Sequence, residues 1–215
     1  MTGSGAVGYP VSLLLSGRRV VVVGGGRVAT RRVDDLLAEG ASVVVVAPEL
    51  TEHLETRVAA GELAAERRPF QASDLDAAWA AFAATDDPAV NREVVVAAAD
   101  RCCFSSSADG APASMTPMAV VRRGALEVAV GTSGRVPGLA AGLARRLGAE
   151  LGPEYGVLCD LASELRQERK AAGGGGADPD WLVVFDSGIL DSIRTGNLDE
   201  AREGLRNTCH SSSSG

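Results

Sequence analysis

Four valines run straight into three glycines in the stretch RRVVVVGGGRVA at residues 18–29, and no other segment constrains the fold as much. A continuous apolar run of this length reads as a strand buried on both faces, as in a parallel sheet. Gly24, Gly26 and Ala29 fit the spacing G-x-G-x-x-(G/A). In that pattern the first glycine permits a tight turn and the second lets a pyrophosphate approach the backbone. The small third residue lets the helix pack close to the strand. The helix that follows turns its unpaired N–H groups and positive dipole end toward the phosphates. The pattern therefore points to a dinucleotide site over Gly24, Gly25, Gly26, Arg27, Val28 and Ala29. The plain alternative is a tight βα turn without a ligand.

Apolar runs and turn residues predict strands over 19–23, 42–47, 63–68, 79–85 and 102–106. Helices are expected between them over 27–39, 50–60 and 88–99. In the first of these Val28, Val33, Leu36 and Leu37 are expected to face inward, and Gly40 stops it. Asp87 is the expected N-cap of the third, with Pro88 in its first helical position. This alternation is that of an α/β, Rossmann-like, doubly wound parallel sheet. Beyond about residue 112 the pattern changes. Two strands over 118–122 and 126–131 join through a tight turn at Arg123 and Gly124. An apolar helix opens at Pro137 and ends near Leu151, and an amphipathic one covers 154–171. After a glycine break at 173–176, two further helices are expected over 181–194 and 198–206, then a disordered serine tail from His210. The expected organisation is a nucleotide domain over 1–115, a small α+β dimerisation and substrate region over 116–152, and a helical domain over 153–210, with the tail at 211–215. The hairpin and its helix are too small to form a separate core, which predicts a homodimer through 118–151.

A net charge of −7 argues against a nucleic-acid partner. No apolar run approaches the roughly 18–20 residues that span a membrane. Residues 1–9 lack the basic start and apolar core of a signal peptide, so a cytoplasmic protein is expected. Cys102, Cys103, Cys159 and Cys209 show no C-x-x-C spacing and read as buried or free thiols. Cys102 and Cys103, in an expected strand, would point to opposite faces. With His53 and His210 as the sole histidines, a histidine-rich metal site is excluded and no resident metal is expected.

The order of four segments resembles one family. They are YPVSLLLSGRRVVVVGGGRVATRR from Tyr9, AATDDPAVN from Ala83, the region from Ala108 to Pro117 containing APASMTP, and LEVAVGTSGRVPGLAAGLARRL from Leu126. Together they are similar to the precorrin-2 dehydrogenase/sirohydrochlorin ferrochelatase family, of the type found at the N-terminus of siroheme synthase. The resemblance covers about residues 9–170. It implies oxidation of precorrin-2 to sirohydrochlorin with NAD as hydride acceptor, in siroheme biosynthesis. Some members also insert Fe2+, so a tetrapyrrole substrate and iron in transit are implied partners. The competing class is a non-catalytic NAD-binding regulatory domain. It accounts for residues 18–106 but not for the GTSGRVPGLA segment.

The cofactor half would draw on Ala47, Pro48 and Glu49 after the second strand and on Thr85 and Asp86 after the fourth. Glu49 is the acid placed to meet ribose hydroxyls, or else a solvated residue before the next helix. No arginine stands there for a 2′-phosphate, which favours NAD over NADP. The family carries an aspartate after its fifth strand that is proposed as general base, and the resemblance puts Asp109 in that role. An ungapped match instead places Ala108 there, so a short gap within 105–113 is needed. The alternative for Asp109 is a turn residue, because Asp-Gly is itself a turn signal. Ser114, Met115, Thr116 and Pro117 would shape the macrocycle pocket. Thr132 and Ser133 read as substrate contacts or as caps. Arg135, with Arg122 and Arg123, is a candidate for substrate carboxylates, with Arg145 and Arg146 behind them; the alternative for Arg122 and Arg123 is a solvated hairpin end. The stripe of Leu139, Leu143 and Leu147 reads as core or dimer interface.

Overall fold

The computed structural model describes residues 8–101, 103–173 and 179–211. The chain divides into two compact units, one ending at Pro117 and the other beginning at Met118.

The first unit is a parallel sheet of β1 (Arg19–Val23), β2 (Ser42–Val46), β3 (Ala64–Glu66), β4 (Ala80–Ala83) and β5 (Phe104–Ser107), in the order β3-β2-β1-β4-β5. Helices α1 (Arg27–Ala38), α2 (Glu52–Ala59) and α3 (Pro88–Asp100) cross over between strands. The valine run behaves as its composition demands. Val20 and Val22 pack with Ala29, Val33 and Leu36 of α1, while Val21 and Val23 pack with Val94, Ala97 and Ala98 of α3. Each such fully buried valine contributes roughly 1.5–3 kcal/mol. Strand order reverses at β1, whose neighbours are β2 and β4. In open α/β sheets that switch point leaves a crevice at the carboxyl ends of the strands, where ligands bind.

Helix α1 corrects one expectation. Ala29, Val33 and Leu36 form its buried stripe at i, i+4 and i+7, whereas Val28 is 47% exposed. One residue before Ala29 lies about 100° around the helix, off that stripe. The fifth strand also starts later than expected, at Phe104. Cys103 precedes it as a buried thiol, and Cys102 lies outside the described residues, so the opposite-face expectation for the pair does not arise. An ion pair between buried Asp74 and half-buried Arg68 fastens the segment between β3 and β4. Asp74 accepts from the Arg68 guanidinium at 2.6 and 2.9 Å and from the Gln71 N–H at 2.8 Å.

The second unit opens with an antiparallel hairpin, β6 (Ala119–Arg123) and β7 (Leu126–Val130). Its turn needs glycine twice. Gly124 has a φ of +56°, and a β-carbon on Gly156 would sit 2.8 Å from the Arg123 carbonyl oxygen. Helix α4 (Pro137–Glu150) turns Ala140 and Ala144 inward and leaves Leu139 and Leu143 exposed. The leucine stripe is therefore not a core of this chain. Helices α5 (Glu154–Ala171), α6 (Trp181–Asp186), α7 (Ile189–Arg194) and α8 (Leu198–Ser211) enclose a core of Leu158, Leu161, Leu165, Val184, Ile193 and Leu205. The single helix expected over 181–194 is broken in two. Gly188 takes a left-handed φ of +78° and serves as the N-cap of α7. The last helix runs through His210 to Ser211, where a tail was expected, and residues 212–215 lie outside the described residues. Of the glycine break at 173–176, residues 174–176 also lie outside them. No helix among the described residues is long and apolar enough to cross a membrane.

Candidate nucleotide and acid site

The three glycines after β1 have three different reasons to be glycine. Gly24 has a φ of +123°, and a β-carbon there would overlap the Ala84 carbonyl oxygen of the loop after β4. A β-carbon on Gly25 would overlap the Glu49 carbonyl oxygen of the loop after β2. The Thr51 N–H also donates to the Gly25 carbonyl at 3.0 Å, which clamps that loop down. Gly26 is unlike both. Its φ of −86° suits any residue, and nothing lies within 4 Å of a β-carbon built on it. Among the described residues, neither conformation nor packing requires glycine at that position. What a side chain would fill is the space in front of the α1 N-terminus. Gly26 is the N-cap of α1, and among the described residues no side chain caps that helix and no acidic residue stands in its first turn. The leading N–H groups are thus left for an anion, which fits the pyrophosphate of a dinucleotide.

The other expected cofactor residues line the same sheet edge. Ala29 is fully buried and allows α1 to sit on β1, while Arg27 and Val28 are exposed in the first turn. Ala47 is buried at the end of β2, with Pro48 and Glu49 exposed beyond it. Thr85 and Asp86 follow β4. Asp87 caps α3, its carboxylate accepting from the Ala89 N–H at 2.7 Å, so the capping expectation holds.

Asp109 stands two residues past β5, exposed and held by three donors. The Ser107 hydroxyl and the Ala111 N–H donate to its Oδ1, and the Asn91 amide donates to Oδ2 at 3.2 Å. These bonds, the Ser107 hydroxyl foremost, hold the carboxyl below the usual carboxylate range. Asp109 is accordingly ionised at neutral pH. Ala108, the ungapped alternative, carries no proton-accepting side chain; its N–H donates to the Ala83 carbonyl at 2.9 Å.

Of the residues expected to face the macrocycle, Ser114 is committed elsewhere. Its hydroxyl accepts from the Ser105 N–H at 2.8 Å, and the Met115 N–H donates to the Ser105 carbonyl at 2.9 Å. This pair covers the outer edge of β5. Met115 packs against the apolar cluster on the α1 side, and Thr116 and Pro117 are exposed.

In the second unit, the Thr132 hydroxyl accepts from the Val136 N–H at 3.2 Å; Val136 is itself the N-cap residue of α4, which no side chain caps among the described residues. Ser133 is in a left-handed conformation with a φ of +51°, and Arg135 is exposed. Arg123 is not a free cation. Its guanidinium donates to the Gly148, Leu151 and Arg122 carbonyls and closes the C-terminal end of α4. Arg122 pairs with Glu127 at 2.8 Å. Among the described residues no group of three or more His, Cys, Asp or Glu side chains gathers to hold a metal.

Asn91 and Ser107 have no role in the motif reading. Ser107 is hidden because serines in FSSS are interchangeable by eye. Asn91 left a legible trace. It is the one polar residue in the stripe Asn91, Val94, Val95 and Ala98 on the buried face of α3. A polar residue in such a stripe requires a partner.

A switched parallel sheet with an open glycine cradle at the carboxyl end of its first strand defines an NAD(P)-binding Rossmann protein. Residues 11–117 match the family described as "Putative NAD(P)-binding". Siroheme synthase of Chromobacterium violaceum is 37% identical over 203 residues, which are 90% of this chain and 42% of that protein. Siroheme synthase of Pseudomonas fluorescens (strain SBW25) is 37% identical over 198 residues, 87% of this chain and 41% of that protein. The chain thus spans about two fifths of the length of these curated relatives. Among solved structures, "SirC, precorrin-2 dehydrogenase" superposes with a TM-score of 0.70 at 29% identity, over 93% of this chain and 98% of that one. Residues 11–117 thus belong with the NAD(P)-binding family, and the chain is similar over most of its own length to these siroheme synthases and to the precorrin-2 dehydrogenase SirC.

Proposed function

We propose that this protein oxidises precorrin-2 to sirohydrochlorin with NAD as acceptor, in the siroheme branch of tetrapyrrole biosynthesis in the cytoplasm. The observation that carries the reading is Asp109, an ionised carboxylate following β5 in the same unit as the open cradle at Gly26. A nucleotide sensor has use for the cradle but none for a carboxylate held by three donors. When bound, the nicotinamide supplies the hydride acceptor. The α1 N-terminus holds the pyrophosphate, with Gly26 keeping the approach clear. Glu49 accepts from the ribose hydroxyls, which excludes a 2′-phosphate and selects NAD over NADP. Asp109 takes the proton that the macrocycle loses as its hydride departs, and its exposure gives that proton an exit to water. Thr116 and Pro117 with Met115 border the macrocycle. The exposed leucines of α4, Leu139 at 53% and Leu143 at 42%, support a homodimer through 118–151.

The test is anaerobic incubation of the protein with precorrin-2 and NAD, followed by absorbance. The sirohydrochlorin spectrum should grow only when NAD is present, and NADP should support it poorly. Active precorrin-2 giving no NAD-dependent spectral change defeats the proposal. Iron insertion is a separate step, assayed by adding Fe2+ to sirohydrochlorin with no nucleotide present.

A further inference from the structure

We propose that Asn91 is the positioning residue of this site: its buried amide aims the Asp109 carboxylate and ties it to the cofactor-side loop at Thr85. The inference rests on the reading of Asp109 as the proton acceptor. Asn91 is 1% exposed, one turn into α3. Its Oδ1 accepts from the Thr85 N–H at 3.1 Å and from the Thr85 hydroxyl at 2.9 Å. Its Nδ2 donates to the Thr85 carbonyl at 3.0 Å and to Asp109 Oδ2 at 3.2 Å. The partners leave no freedom in how the amide is oriented. A backbone N–H can only donate, so Oδ1 must face it. A carbonyl and a carboxylate can only accept, so both must meet Nδ2.

The division of labour at Asp109 follows from the same contacts. Ser107 and Ala111, next to it in the chain, bind Oδ1 and set a local turn. Among the described residues, Asn91 alone reaches across from another element, eighteen residues away, to bind Oδ2. The local turn shapes the loop, and the Asn91 bond fixes where that loop points relative to the edge of β4. Because one amide serves Thr85 and Asp109 together, a shift of the cofactor-side loop is transmitted to the acid. Asparagine is the only small side chain that can do this. Aspartate has the same shape but turns both donor bonds into contacts between acceptors, and it sets a second negative charge beside the first.

Carboxyl-carbon NMR titration of the full chain tests the proposal, with Asp109→Asn identifying the signal. Removing a donor destabilises the ionised form, and a like charge does so further. Asp109 in Asn91→Ala should therefore titrate at higher pH than in the parent. In Asn91→Asp it should rise by about one unit or more, a tenfold change in protonation at a given pH. The acid limb of kcat/KM should move up with it, while a merely structural role would lower activity equally at every pH. One readout needs no substitution at position 91. In the parent protein the Asn91 Nδ2–H resonances should move as Asp109 titrates, and should stop moving in Asp109→Asn. Asn91 resonances indifferent to that titration, or an unmoved Asp109 in folded variants, overturn the proposal. Turnover of Asp109→Asn decides the other question. Full activity there removes Asp109 as base, and the titration coupling is read independently of it.

Discussion

Gly25→Ala and Gly26→Ala are adjacent, chemically identical changes for which the structure requires opposite outcomes. At Gly25 the new methyl would overlap the Glu49 carbonyl oxygen and lie 3.0 Å from both the Glu49 carbonyl carbon and Leu50 Cδ2. The obstacle is backbone already bonded to Gly25 through the Thr51 N–H, so it yields only by moving the loop. Overpacking of this kind costs about 1–3 kcal/mol. The upper end applies against backbone, and about 3 kcal/mol lowers Tm by roughly 6–12 °C in a chain of this size. At Gly26 nothing lies within 4 Å. Losing glycine at an N-cap costs roughly 0.5–1 kcal/mol, and the reduced freedom of the unfolded chain returns about 0.4–1 kcal/mol. Stability should hold within about 1 kcal/mol. The methyl instead occupies the approach of the pyrophosphate. Losing one charge-assisted hydrogen bond, worth about 1.5–3 kcal/mol, weakens binding roughly 10- to 100-fold.

Thermal unfolding with and without NAD, together with calorimetric titration, separates the two. At a nucleotide concentration of about 100 parent Kd the parent gains ~2.7 kcal/mol. If Kd rises about 30-fold, Gly26→Ala gains only ~0.9 kcal/mol at the same concentration. Parent-like NAD affinity in Gly26→Ala would refute the assignment of that open face to the phosphates. Parent-like Tm in Gly25→Ala would show that the loop after β2 is not held as described.

Two further outcomes are expected. Asp74 is 7% exposed, and the Arg68 hydrogen bonds, ahead of the Gln71 N–H, lower its pKa. Its contribution to stability is whole above the unfolded aspartate value near ~4 and is lost as pH falls through the lower native value. Asp74→Asn should thus be less stable than the parent by about 1–3 kcal/mol at pH 7, the gap closing in acid; urea denaturation across pH measures it, and a gap that persists undiminished in strong acid contradicts the pairing. Replacing the exposed Leu139 and Leu143 together by glutamate should give monomers in sedimentation, with α4 retained by circular dichroism. A parent already monomeric at working concentration contradicts the proposed interface.

The parallel sheet was readable because its signals are local and redundant. A valine run, a glycine turn and an alanine at the third motif position each report the same strand–turn–helix, and Asp87 with Pro88 announces α3 without help from the rest of the fold. Where single residues carried the decision, pattern reading failed. Val28 looked like core by composition, but its angle around α1 takes it out to solvent. Ser187 and Gly188 looked like one helix continuing, and the left-handed backbone at Gly188 splits it. Arg123 read as a substrate cation or a solvated hairpin end, and it is neither, since it closes the end of α4.

The chain's order of residues by itself determined the α/β class and the strand–glycine turn–helix that starts the sheet, because these depend on neighbours within a dozen positions. Only the tertiary structure decided why each glycine is a glycine and what holds Asp109. Gly24 and Gly25 answer to carbonyls from the loops after β4 and β2, and Gly26 answers to none among the described residues. Asp109 is held by Asn91 from another element. Those contacts join residues far apart in the chain, and their distances exist only once the parallel strands have set the loops side by side.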